Sequence, residues 1–439
     1  MTFQTPKRFR GVEVAEGHEL KRAAPELSTI GARCLLTGMD ATGKEVTIPL
    51  NDDLLSRHLL FLGGIGTGKT NAIFQIVPQL RQSMTANDVM LIFDTKGDYY
   101  QAFYRQGDIV VSNDNKATGP RGSDYWNIFH EVTQGDAEEN IIEIARTLFY
   151  EKAERSNNPF FPNAACDLFT AILLHFVRSG NHSAMNNASL RSFLNQMKPS
   201  ELRSLLESHT DLRAMVSYIG DDRSPQTLGV ISELQQMART VLEGNFCRAG
   251  NLSVREAIRA KGGRAIFVEY DLGVGNMLTP IYRLLLDLTI KEALCREKSE
   301  GNVWFLIDEF RLIPNLQHVD DGINFGRSLG AKFIIGVQNV EYLFHTYGEL
   351  LARSILSGLM TTIAFRVGDN ATKTFVQELF GKNRKLETYM STVQTRGLTE
   401  QVRDANVVED WDISNLAIGQ AIIGLPRQEP FLFQFKHHS

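Results

Sequence analysis

Short unbroken apolar runs alternate with stretches of helical period along most of this chain. Residues 58–62, 89–93, 109–111, 265–270, 303–307, 333–337 and 361–365 read as buried strands. Residues 71–82, 277–296, 322–329 and 371–380 carry apolar positions at helical spacing, and 420–424 and 431–435 read as closing strands. Strands alternating with helices predict an α/β fold with a doubly wound, mostly parallel sheet. Two departures break that rhythm. Residues 1–57 look like a small β-rich entry segment, with strands near 11–14 and 46–50 and a hairpin turn at Asp40-Ala41-Thr42-Gly43. From about 137 to 245 the period is helical throughout, with helices expected at 138–153, 163–177, 190–197, 200–208 and 212–219. Ser224-Pro225 then reads as an N-cap and a first-turn proline opening one more helix. The expected organisation is an entry segment 1–57, a first α/β part 58–136, an inserted all-α subdomain 137–250 and a second α/β part 251–439.

Composition changes this picture little. The 439 residues suffice for two or three domains, and 43% apolar with 22% charged residues is ordinary for a globular chain. The net charge of −5 gives no general affinity for nucleic acid, although a basic channel could be local. Cys34, Cys166, Cys247 and Cys295 are scattered without metal-ligand spacing and read as reduced thiols. No uninterrupted apolar run approaches the roughly 18 residues of a membrane span, and residues 1–10 lack the apolar centre of a secretory signal. A cytoplasmic protein is expected.

The chemistry enters at the end of the first apolar run. Gly63, Gly64, Ile65, Gly66, Thr67, Gly68, Lys69 and Thr70, with Asn71 following, fit G-x-x-x-x-G-K-[ST] between a strand and a helix. Glycines let backbone N–H groups wrap phosphate oxygens, and the helix N-terminus adds partial positive charge. In that motif Lys69 reaches the β- and γ-phosphates and Thr70 ligates Mg²⁺. Asp308-Glu309 at the end of 303–307 is a second signal: Asp308 would hold Mg²⁺ through its waters, and Glu309 would act as general base toward the attacking water. On its own the pair could equally cap a helix. The phosphate-loop motif upstream decides for catalysis.

Other positions stay open on spacing alone. Asp94 also ends an apolar strand and competes for the metal, but no carboxylate follows it. With Lys96 and Asp98 it is expected beside the site, or else in a solvated turn. Gln338 ends the strand after Asp308-Glu309 and either contacts the terminal phosphate or caps the next helix. Arg327, after Gly326, reads as a surface arginine, with an arginine finger to a neighbouring subunit as the functional alternative.

The order of these motifs resembles the type IV coupling proteins of the TraD/TraG kind and, more distantly, the FtsK and HerA translocases. It comprises the phosphate loop, Phe93-Asp94-Thr95-Lys96-Gly97-Asp98, the helical insert, Asp308-Glu309, the stretch from Gly326-Arg327 to Gln338, Tyr347-Gly348 and the C-terminal stretch 415–433. The resemblance covers roughly residues 8–435, and the stretch from Gly326-Arg327 to Gln338 is its most specific part. It implies a RecA-like ATPase that uses ATP and Mg²⁺ and works as a hexameric ring with DNA in its channel. It implies relaxase or another secreted protein as cargo. Carried over, Lys69 and Thr70 bind nucleotide and metal, Asp308 and Glu309 form the hydrolytic pair, Gln338 is the sensor and Arg327 the finger acting across subunits. Members of that family usually begin with transmembrane helices, so a soluble branch, a shortened chain or docking through a separate partner at the inner membrane is expected. Asp98 stands where the family's motif ends in Glu.

Two other function classes are compatible with a phosphate loop. A nucleotide-regulated receptor or adaptor would use the helical insert to recognise cargo, with little translocation of its own. An ABC ATPase would need an LSGGQ-type signature before Asp308, whereas Leu356-Ser357-Gly358-Leu359 is incomplete and lies after it.

Overall fold

The computed structural model describes residues 8–113, 125–132, 136–295, 300–390 and 398–437. Its strands in chain order are β1 (Arg8–Glu16), β2 (Ala32–Asp40), β3 (Glu45–Asn51), β4 (Leu59–Leu62), β5 (Val89–Asp94), β6 (Ile109–Ser112) and β7 (Arg264–Glu269). They continue with β8 (Val303–Ile307), β9 (Ala331–Val337), β10 (Thr361–Phe365), β11 (Lys382–Met390), β12 (Leu398–Asn406), β13 (Gln420–Gly424) and β14 (Phe431–Phe435). Packing divides the chain into two compact units. The first holds the chain up to Ser83, Ile307–Arg311 and the chain from Lys332 onward. The second holds Met84–Leu306 and Leu312–Ala331. These units do not follow the boundaries expected near 57, 136 and 250.

In the first unit the strand order is β3-β2-β14-β13-β10-β4-β9. The motif-bearing centre, β10, β4 and β9, is parallel. All four residues of β4 and all seven of β9 are buried, which explains their unbroken apolar runs. The flank β10-β13-β14-β2-β3 is antiparallel throughout. Residues 32–51 therefore extend this sheet and are no separate entry segment. Helix Lys69–Ser83 is tied to β2 by side-chain amides: Gln75 and Gln79 each accept a β2 backbone N–H and donate to a β2 carbonyl. A separate antiparallel sheet, β1-β11-β12, pairs residues near both ends of the chain, Arg8 opposite Met390. Its hairpin β11-β12 was not anticipated.

In the second unit the strand order is β8-β5-β7-β6, with β5, β7 and β6 parallel. Helices Ala137–Arg155, Phe160–Arg178, Asn187–Gln196, Pro199–Glu207, Pro225–Val241 and Val254–Ala260 fill the expected helical stretch. Ser224 caps as expected, its hydroxyl accepting the Thr227 N–H, with Pro225 in the first turn. Residues 213–219 form a 3-10 segment, not an α-helix. Helix Phe160–Arg178 is long and apolar enough by composition to cross a membrane, which a search for uninterrupted apolar runs misses, and most of it is buried inside this unit. The fully buried Glu131 joins two segments. Its carboxylate accepts from Trp126 Nε1 (2.8 Å), Ser253 Oγ (2.9 Å) and the Val254 N–H (2.7 Å), neutralising the start of helix Val254–Ala260.

Candidate active site

β4 ends against Gly63, and the chain turns there because its neighbours leave no room for side chains. A Cβ on Gly63 would stand 2.7 Å from Phe365 Cβ, and one on Gly68 would stand 2.9 Å from Gly419 Cα. Gly66 and Gly68 take φ of +72° and +114°, in the left-handed region where only glycine is unstrained. The loop is held from three sides. The Gly63 N–H donates to Val337 O (3.1 Å), the Gly64 N–H to Arg366 O (2.9 Å), and the Gly419 N–H to Thr67 O (2.8 Å). Gly419 directly precedes β13, so the antiparallel flank buttresses the loop.

Lys69 is buried, and its Nζ donates to Gly63 O (2.5 Å) and Gly64 O (3.1 Å) across the mouth of the loop. The Thr70 hydroxyl donates to Asp308 Oδ2 at 2.9 Å. Asn71 donates to Lys436 O from the same turn. Asp308 and Glu309 follow β8 and belong to the first unit, with the loop. The two predicted metal ligands are thus in direct contact, and the loop's cradle fits a triphosphate with its cation: glycine backbone open to phosphate oxygens, one lysine, one hydroxyl and one carboxylate.

Glu309 is 17% exposed. Gln338 Nε2 donates to its Oε2, so β9's terminal amide meets the expected base. Burial pushes the Glu309 carboxyl above its ordinary value, against the pull of Arg311 and Lys69. Arg311, which sequence reasoning passed over, places Nε 3.1 Å from Glu309 Oε1. That oxygen lacks a hydrogen bond of good geometry. A cleft of about 390 Å³ beside these groups is lined by residues that include Gly64, Ile65, Arg311, Gln338, Asn339 and Asp369.

The remaining expected residues lie in the second unit. The Asp94 carboxylate is buried and consumed by its own turn, accepting N–H groups of Lys96 (3.2 Å), Gly97 (2.9 Å) and Tyr100 (2.8 Å). It organises the start of helix Asp98–Phe103. Lys96 is exposed on a cleft of about 600 Å³ that it shares with Tyr100, Glu269 and Asp271, and Asp98 is exposed at the helix start. Arg327 is exposed in the 3-10 turn Gly326–Leu329, next to Phe325 at 67% exposure.

The family model for the type IV secretion-system coupling protein DNA-binding domain matches residues 44–435. The type IV secretion system-coupling protein VirD4 of Bartonella henselae is 23% identical over 415 residues, covering 90% of this chain and 64% of the relative. The chain therefore spans under two thirds of that relative's length. Among solved structures, the unbound bacterial conjugative coupling protein TrwBdeltaN70 superposes with a TM-score of 0.74 at 19% identity, covering 99% of this chain and 94% of that one. The plasmid coupling protein TrwB in complex with ADP and Mg²⁺ gives 0.73 at 17% identity, covering 98% and 97%. These likenesses establish the fold.

Proposed function

This chain belongs to the type IV secretion-system coupling protein family, and we propose that it is the ATP-hydrolysing motor of such a system, moving DNA with its attached protein cargo. The observation that carries the proposal is the junction of loop and acidic pair: Thr70 on Asp308, and Gln338 on Glu309. Mg²⁺-ATP, once bound, supplies the phosphoanhydride bond and the cation's charge. The chain's own residues do the rest. Loop N–H groups bind and orient the phosphates. Lys69 exchanges the carbonyls of Gly63 and Gly64 for phosphate oxygens. The Thr70 hydroxyl and Asp308 hold the cation, and Glu309 accepts a proton from water oriented with the help of Gln338.

Hydrolysis drives movement in this reading through a ring, a hexamer, whose channel holds the DNA. The exposed turn with Phe325 and Arg327 supports a subunit interface there, with Arg327 reaching a neighbour's phosphates. Docking at the cytoplasmic face of the inner membrane would run through a separate partner. Relaxase or another secreted protein is the cargo class.

The test is an ATPase assay with and without DNA, run beside particle sizing. Activity should rise with DNA and with assembly, and Lys69→Ala should lose it. Normal DNA-stimulated turnover in Lys69→Ala would sink the motor. Weak DNA binding together with tight, nucleotide-dependent cargo binding would favour an adaptor instead.

A further inference from the structure

Each carboxylate oxygen of Glu309 has a polar side chain beside it. Gln338 takes Oε2, and Arg311 sits 3.1 Å from Oε1 without making a well-formed hydrogen bond. The two holds differ in kind. Gln338 directly follows a fully buried strand, whereas the Arg311 side chain is 50% exposed and lines the cleft that also touches Gly64 and Gln338. The backbone beneath Arg311 is fixed: Phe310 is buried and its ring stacks on Tyr347, with centroids 5.9 Å apart and planes 5° apart. Only the Arg311 side chain is free to change partner.

Resting on the ATPase reading above, we propose that Arg311 clasps Glu309 when no nucleoside triphosphate is bound and transfers to the terminal phosphate when one is. A guanidinium prefers a multiply charged phosphate, with its several acceptor oxygens, to one poorly aligned carboxylate oxygen. The exchange removes the cation from Glu309 when a substrate is present and leaves Gln338 to orient the freed carboxylate. Nucleoside diphosphate lacks the group that triggers it, so Arg311 stays on Glu309. The same contact read as an ordinary surface ion pair would do nothing measurable to nucleotide choice.

The experiment measures affinities of the full chain for ADP and for a non-hydrolysable ATP analogue, by displacement of a fluorescent ADP in the presence of Mg²⁺. Arg311→Ala should weaken the triphosphate analogue about tenfold, roughly one charge-assisted hydrogen bond, and change ADP by less than about twofold. Arg311→Gln, which keeps the stem and loses the charge, should repeat that selective loss. Arg311→Lys should recover part of it. Equal effects on both nucleotides, or none on either, would overturn the role of Arg311. Failure of the unaltered chain to bind either nucleotide would instead overturn the ATPase reading, and this proposal with it.

Discussion

The Thr70 hydroxyl donates a 2.9 Å hydrogen bond to the Asp308 carboxylate, across 238 positions of sequence. A threonine at the first turn of one helix and an aspartate just past the tip of a strand are thereby brought into contact, and the proposed cation site rests on that contact. Asp308→Asn keeps an oxygen for Thr70 and removes the charge. It should raise the Mg²⁺ concentration needed for half-maximal nucleotide hydrolysis by about 10- to 100-fold, the usual cost of altering a group that holds a metal through its waters. An unchanged Mg²⁺ titration would move the site elsewhere.

Glu309→Gln separates binding from chemistry. Glutamine preserves an acceptor for Gln338 Nε2 and cannot take a proton from water. Turnover should fall by at least about 100-fold, while affinity for ADP stays within about twofold. A variant that binds and still hydrolyses at the normal rate would disqualify Glu309 as base.

Gly336 in β9 has no room for a methyl group. A Cβ there would stand 2.0 Å from Asp308 O and 2.9 Å from Asp308 Oδ1, a clash with backbone that no rotamer relieves. Gly336→Ala should destabilise the protein by about 1–3 kcal/mol and cut hydrolysis by displacing Asp308. Gly220→Ala, where a Cβ meets nothing within 4 Å, is the control in thermal unfolding. Equal melting temperatures for the two variants would contradict the crowding argument.

Asp287 gives the second unit a pH dependence of identifiable sign. It lies in helix Gly275–Ala293 with its Oδ1 accepting the Gln317 and His318 N–H groups (2.8 and 3.2 Å), and burial pushes the carboxyl up to about 7 despite the nearby charges of His318 and Arg283. In the unfolded chain an aspartate titrates near about 3.9. Between those values the folded state holds a proton that the unfolded state has lost. Stability from this group is therefore full below about pH 4 and declines as pH rises through about 7, by up to about 4 kcal/mol. Asp287→Asn should melt progressively higher than the unaltered protein between pH 5 and pH 8. Parallel melting curves across that range would show that Asp287 keeps its ordinary titration.

What could be read from sequence was local in origin. The phosphate loop, the Asp308-Glu309 strand tip and the Ser224-Pro225 cap each depend on neighbours within a few positions, so adjacent residues carry the signal. Long-range pairing was hidden. Among the described side chains β11 is largely half-exposed and β12 largely exposed, with no clean alternation, and one of the two partners of β11, β1, lies near the opposite end of the chain. Asp94 ends its strand much as Asp308 follows its own, but its carboxylate accepts the N–H groups of its own turn. The glycine three positions later, Gly97 at φ +75°, was the available sign of a self-capping turn. Arg311 offered no such sign, since nothing in its spacing distinguishes it among 46 lysines and arginines.

The contact of Gly419 with Thr67 and Gly68 sets an order of events during synthesis. The loop emerges from the ribosome early, and the brace that shapes it emerges only after nearly every other strand has been made. A chain stopped ahead of β13 would keep residues 63–70 and Asp308-Glu309 and lose the brace, so loss of nucleotide binding is the expected result.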